Sequence, residues 1–338
     1  MTEFILALLQ KKNKLKLTTL YQVLIGKKTS SVLSYAFFME LLPYLGCLPH
    51  LTEKQYKQEI DVLIKQKQLR IQEGVLYLEE QGTLSFLETD DYQHINYFRF
   101  GRKDETAWRL IQYFIQQLTQ TTPMRDLEMT PYYLHIIERA LLKEKNQKRH
   151  VFDELHLLFS RLPTEQSNLL VGTLSGGTLV GETFYQLFPE VNTVKGQLYR
   201  ASAWHFLYQM ILTHPNYILY QIVKQPFFET LNQSVLTTRK MFFTTPTIES
   251  IAKKRGLKAS TIRDHLIEWA ILDEQFPFEH FDFSLFEQSF FTKEHIYLVS
   301  YKEVQERLGI PEVDFLTYRL YQIKRKRETL AKIRTTTI

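Results

Sequence analysis

Five bases fall within eleven residues: Lys253, Lys254, Arg255, Lys258 and Arg263. Cations at this density suit the neutralisation of phosphates, which supplies most of the sequence-independent affinity of DNA-binding proteins. Ser260 and Thr261 add hydroxyls and backbone amides at a point where a phosphate is favoured. Arg263, Asp264 and His265 are the side chains best suited to base edges. These residues form the candidate DNA-binding set. No comparable set suits catalysis. Gly176–Thr183 has the spacing of a phosphate-binding loop, but Glu182 stands where its lysine belongs, and a carboxylate there repels a nucleotide. The run reads instead as a glycine-rich helix connection. His150 and His156, around Asp153 and Glu154, lack the i, i+4 spacing that sets two metal ligands on one helical face. Cys47 is the single cysteine, which excludes an internal disulfide and suits a small buried hydrophobe in a reducing compartment. A chain that is not an enzyme, with no metal, cofactor or small-molecule substrate, is expected.

The elements that must hold the basic set are two short helices with a tight turn. Thr247 can cap the first, and Ile248, Ile251 and Ala252 follow at i, i+3 and i+4. Gly256 sits where a helix stops in a left-handed conformation. Ser260 is the expected N-cap of the second helix, with Ile262 and Leu266 as its buried stripe. Ala252 is small where the helices cross. This is the pattern of a helix-turn-helix, whose second helix lies in the DNA major groove. The competing reading is an ordinary helical hairpin with a solvated charged face. His265 could also pack under Trp269. Arg255 departs from the pattern, because an aliphatic residue usually precedes the glycine.

The run Ile251-Ala252-x-x-Arg255-x-Leu257-x-x-x-Thr261-Ile262-x-x-His265-Leu266 resembles the helix-turn-helix domain at the C-terminus of RecQ-type DNA helicases. It is also similar to the end of the YpbB-like proteins, which are encoded beside a RecQ-like helicase. Tyr21–Ser31 and Leu42–Gly46 resemble the opening segment of that family. The resemblance implies a DNA-binding accessory partner of a RecQ-like helicase, acting in replication, recombination or repair. A transcription regulator and a protein-interaction adaptor without DNA binding are the alternatives. Where the family has a glycine before the first motif helix, this chain has Thr244-Thr245-Pro246.

The chain has 338 residues, with 24 Phe and 19 Tyr but only 12 Gly and 11 Pro, which favours a mainly α, multi-domain protein. Three segments are expected: an N-terminal helical, winged-helix-like domain over 1–145, a helical middle over 150–232, and a C-terminal helix-turn-helix domain over 235–338. A small β-hairpin is expected at Leu69–Leu78, turning at Glu73-Gly74. Val32–Leu51 reads as a core helix ending near Pro43, and Lys143–His150 as a linker. Phe152, Phe159, Phe184, Tyr185, Tyr199, Trp204, Phe206 and Tyr208 read as core. Net charge is +5 and unevenly spread: about +4 over 237–272, −7 over 273–314 and +6 over 315–338. Such blocks suit a phosphate-facing surface beside a protein-facing one, or a chain that pairs with itself. The tail Lys324-Arg325-Lys326-Arg327 is a second candidate phosphate grip, and the helix pair around Gly309-Ile310-Pro311 reads as structural. Nothing resembles a signal peptide or a membrane span, so a cytoplasmic, nucleoid-associated location is expected.

Overall fold

The computed structural model describes residues 1–79, 85–120, 129–141, 146–230, 232–245, 247–287, 296–309 and 313–336. Its elements are mainly helices, joined by one three-stranded sheet. The N-terminal elements run α1 (Thr2–Lys12), β1 (Lys14–Lys16), α2 (Leu17–Leu24), α3 (Ser30–Phe38), α4 (Glu53–Lys65), β2 (Leu69–Gln72) and β3 (Val75–Leu78). The sheet is antiparallel in the order β1-β3-β2, with Leu15 opposite Leu76 and Leu69 opposite Leu78. The hairpin turns at Glu73 and Gly74 as expected. Both have positive φ, at 51° and 73°, the conformation a two-residue hairpin turn demands. Strand β1 is not legible in the sequence: its three residues are too few for a periodic signal. With α3 set aside, the order helix, strand, helix, helix, hairpin is that of a winged helix.

The contacts divide the chain into two compact units. The first joins residues 1–26 to 42–231, and the second joins 27–41 to 232–338. Residues 1–145 and 150–232 thus fall largely in one unit. The segment carrying α3, however, belongs with the C-terminal residues. Expected as part of a longer core helix, α3 ends at Phe38, and Glu40 takes φ 55°. We call Lys27–Leu41 the arm. Its base is a close approach of two glycines. Gly26 and Gly46 have φ near +80°, and a Cβ on Gly26 would lie 2.9 Å from the Gly46 Cα. Only glycine allows both the conformation and the proximity.

The remainder of the first unit is helical. It comprises α5 (Asp104–Thr119), α6 (Pro131–Leu141), α7 (Gln147–Phe159), α8 (Thr164–Gly172), α9 (Phe184–Leu187), α10 (Val194–Leu212) and α11 (Ile218–Glu229). Their core holds Trp108, Phe114, Trp204, Tyr208 and Phe227. Lys143–Lys145 of the expected linker lie outside the described residues, while Gln147–His150 begin α7. Of the aromatic residues expected in the core, Phe159, Trp204 and Tyr208 are buried, but Phe152 and Tyr185 are 56% and 60% exposed. Helical spacing alone does not reveal which face they occupy. Cys47 is buried, and burial pushes its thiol up.

The second unit contains α12 (Gln233–Phe242), α13 (Ile248–Arg255), α14 (Ala259–Leu272) and two further helices, Tyr301–Leu308 and Phe315–Thr336. The arm is part of its core. In α3, Val32, Leu33, Ala36, Phe37 and Phe38 are all buried, and the helix packs on α14 and on the C-terminal helix Phe315–Thr336. Burying a large apolar side chain contributes about 1.5–3 kcal/mol, so losing α3 removes an amount comparable to a whole domain's net stability of about 5–15 kcal/mol. A fragment of residues 232–338 should therefore melt without a cooperative transition, whereas the same fragment with residues 27–41 joined to it should melt cooperatively. Circular dichroism melting checks this, and equal transitions in both would show that the arm is dispensable.

Candidate nucleic-acid interface

Helices α13 and α14 form the turn expected from the sequence. Thr247 is the N-cap residue of α13, although its side chain makes no capping bond. Gly256 ends the helix at φ 63°, ψ 31°. Its amide reaches back to Lys253, and the Leu257 amide bonds the Ala252 carbonyl at 3.0 Å. The N-cap of α14 is Lys258, not Ser260; the turn is two residues shorter than expected and Ser260 lies within the first turn. Ile251, Ala252, Ile262 and Leu266 are buried as their spacing requires.

The candidate DNA-binding residues separate into two groups. Lys253, Lys254, Lys258, Ser260, Arg263 and Asp264 are exposed, and Thr261 is half-buried. Lys254 Nζ donates to Thr245 Oγ1 at 2.8 Å, which holds its head near the entry to α13. Pro246 of that entry lies outside the described residues. Arg255 and His265 point inward instead. The Arg255 guanidinium donates to the Ser234 carbonyl and to Ser234 Oγ, both at 2.8 Å, and to Thr238 Oγ1. It lies 3.4 Å from His265 Nδ1. Thr238 Oγ1 and His265 Nδ1 are 2.8 Å apart, and His265 is only 8% exposed. Arg255 thus occupies the aliphatic position before the glycine, with its charge satisfied by α12. His265 packs toward α12 rather than toward a base edge. The signal for this arrangement is Arg255 itself, a polar residue at an apolar position of the motif.

The imidazole of His265 is held below the ordinary histidine value of 6.5, first by burial and then by the Arg255 charge, against a small opposing effect of Asp264. A protonated ring would place a second positive charge beside the Arg255 guanidinium.

The basic tail is also occupied. Lys324 lies 3.7 Å from Glu287, and Arg325 pairs with Glu328 at 2.8 Å. Lys326, nearly fully buried, meets Glu40 of the arm at 2.6 Å. Arg327 donates to the carbonyls of Ala270 and Ile271 at 2.8 and 3.2 Å. Two of these ion pairs join a basic block to the acidic one, Lys324 with Glu287 and Arg239 with Asp273 at 2.6 Å. Of the helix pair around Gly309, residues 310 and 311 lie outside the described residues.

The first unit offers little competing chemistry. A cleft of about 590 Å³ is lined by Trp108, Arg109, Glu182, Phe184, Arg200 and Trp204, among others. Arg200 stacks over Trp204 at 4.4 Å and pairs with Glu105 at 3.2 Å. The glycine-rich run borders this cleft, but the helix after it, Phe184–Leu187, has four residues, and Gly181 lies so close to the Thr173–Leu174 backbone that a Cβ there would come within 2.6 Å of it. Glu154 receives the Ile218 and Leu219 amides at 2.7 and 3.1 Å, a cap on α11. Among the described residues, no group of three His, Cys, Asp or Glu side chains could hold a metal, and no helix is long and apolar enough to cross a membrane.

Two outcomes follow from the inward pair. Arg255→Ala should cost about 1.5–3 kcal/mol, the usual range for hydrogen bonds to a charged group, and should leave the salt dependence of DNA affinity unchanged. Denaturant unfolding and binding titrations check each part. His265, depressed in the folded state, contributes stability that is full above about pH 6.5 and is lost as pH falls through its lower folded value. Melting at about pH 7.5 and about pH 5 should show a smaller acid loss in His265→Gln than in the parent. Comparing the two isolates His265 from His94 and His205, which are also depressed by burial.

A family model described as a helix-turn-helix domain matches residues 234–322. The match begins at Ser234, the residue that receives Arg255, and runs into the C-terminal helix. No curated protein and no solved structure gives a match. Residues 234–322 thus carry a helix-turn-helix domain.

Proposed function

We propose that this chain is a DNA-binding protein and an accessory partner of a RecQ-like DNA helicase. One observation carries the DNA-binding part: Lys253, Lys254, Lys258 and Arg263 stand exposed around the turn of a helix-turn-helix. Lys253, Lys254, Lys258 and Arg263 neutralise phosphates, and the amides near Ser260 and Thr261 add an anion-favouring helix start. Arg263 and Asp264 face the groove. The helicase part rests on the resemblance around Arg255, Leu257, Thr261, Ile262, His265 and Leu266. The mechanism is tethering: a modest DNA grip joined to a helicase contact raises the local concentration of the helicase on its substrate. The chain itself is read as a non-enzyme that works in the cytoplasm on the nucleoid.

Replacing Lys254, Lys258 and Arg263 by alanine should weaken binding to unrelated duplexes alike. The slope of log K against log salt should flatten by about 0.9 for each phosphate that is no longer neutralised, or about 2.7 for three. An unchanged slope would remove the motif from the interface.

Full-length protein should retain the neighbouring helicase through co-purification at low salt. ATP hydrolysis should arrive with the helicase and be absent from the chain alone. Failure to retain the helicase sinks the accessory reading while leaving DNA binding intact.

A further inference from the structure

We infer that the second motif helix holds duplex DNA without reading its sequence, because only its first six residues, Ala259–Asp264, leave the outer face open to a groove. This rests on the DNA-binding reading above and specifies its ligand as duplex of any sequence. The face of α14 turned away from α12 and α13 carries, at helical spacing, Ser260, Arg263, Asp264, Ile267 and Ile271. The first three are exposed, but Ile267 and Ile271 are 2% and 5% exposed. From outside the motif, α3 of the arm and the C-terminal helix pack on α14. Arg327 closes its end by binding the Ala270 and Ile271 carbonyls. Glu268, half-buried, receives the Asn232 amide at 3.3 and 3.2 Å. The second half of the helix is therefore occupied by protein on the side that would have to enter DNA.

What remains is short and mixed in sign. Arg263 and Asp264 are the charged side chains on the open segment, and His265 is turned inward against Thr238. Operator-binding proteins prefer their sites by about 10³–10⁷-fold over other DNA, through several base contacts per module. One bidentate arginine contact gives on the order of a hundredfold at most, and Asp264 beside it is repelled by the phosphates that the lysines attract. The exposed bases contact the backbone, which is the same in every sequence.

Selection of the full chain on a randomised duplex pool at low salt, followed by titration of the best and of unrelated duplexes, tests this. The expected result is no sequence bound more than about a hundredfold better than the pool, with Arg263→Ala lowering affinity for all duplexes alike. A recurring motif bound more than about a hundredfold better overturns the inference and leaves the DNA-binding reading standing. Absence of binding to any duplex at low salt removes both.

Discussion

The second motif helix has too much apolar surface for its own motif to cover. Ile262, Leu266, Ile267, Trp269, Ala270 and Ile271 spread over somewhat more than half of the circumference of α14, and all are buried. Helices α12 and α13 cover one side. An apolar stripe wider than one neighbour can cover needs a second one, and here the added cover comes from α3 and the C-terminal helix. Much of the second unit follows from this requirement. The arm supplies α3, Lys326 ties the arm to the C-terminal helix through Glu40, and Arg327 caps the end of α14. Bases that look available for DNA in the sequence are thereby committed to assembly.

A second constraint acts through Arg255. A guanidinium drawn inward from the last turn of α13 must replace the hydrogen bonds that it loses to water, since leaving such a group unpaired is costly. Ser234 and Thr238 of α12 meet that need. They bind a third helix to the motif through polar contacts where most such crossings use aliphatic ones. His265, whose protonation is disfavoured by burial and by the Arg255 charge, completes the cluster. The pair is thus a device for fixing α12 against α13 and α14, and it makes the position of α12 part of the motif.

The parts legible in the sequence are those encoded locally. Gly256 announces its left-handed turn, Ile251, Ala252, Ile262 and Leu266 announce one buried seam, and Glu73-Gly74 announces the hairpin. The inward turn of Arg255 and His265 escapes a reading that equates charge with exposure. Their places in the motif pattern, both apolar ones, are the available clue. The arm is invisible for a different reason: its partners lie more than 200 residues away, and periodicity reports that a face is apolar without saying what will cover it. Ile267 and Ile271 carry a readable hint, since a helix open to DNA along its whole length would not carry isoleucine there.

The glycine pair at the base of the arm has a consequence for biosynthesis. Because Gly26 and Gly46 bring the two ends of the arm together, the surrounding strand and helices can pair as though the arm were absent. The arm itself leaves the ribosome early, but the surface it must cover belongs to the last third of the chain. Pairings this distant in sequence are slow to form, because a long loop must close before any contact rewards it. During synthesis the apolar side of α3 stays uncovered until α14 and the C-terminal helix exist. The second unit is therefore completed last, and a chain truncated before its final helix would carry an exposed adhesive segment near its beginning, where chaperones rather than neighbours would have to shield it.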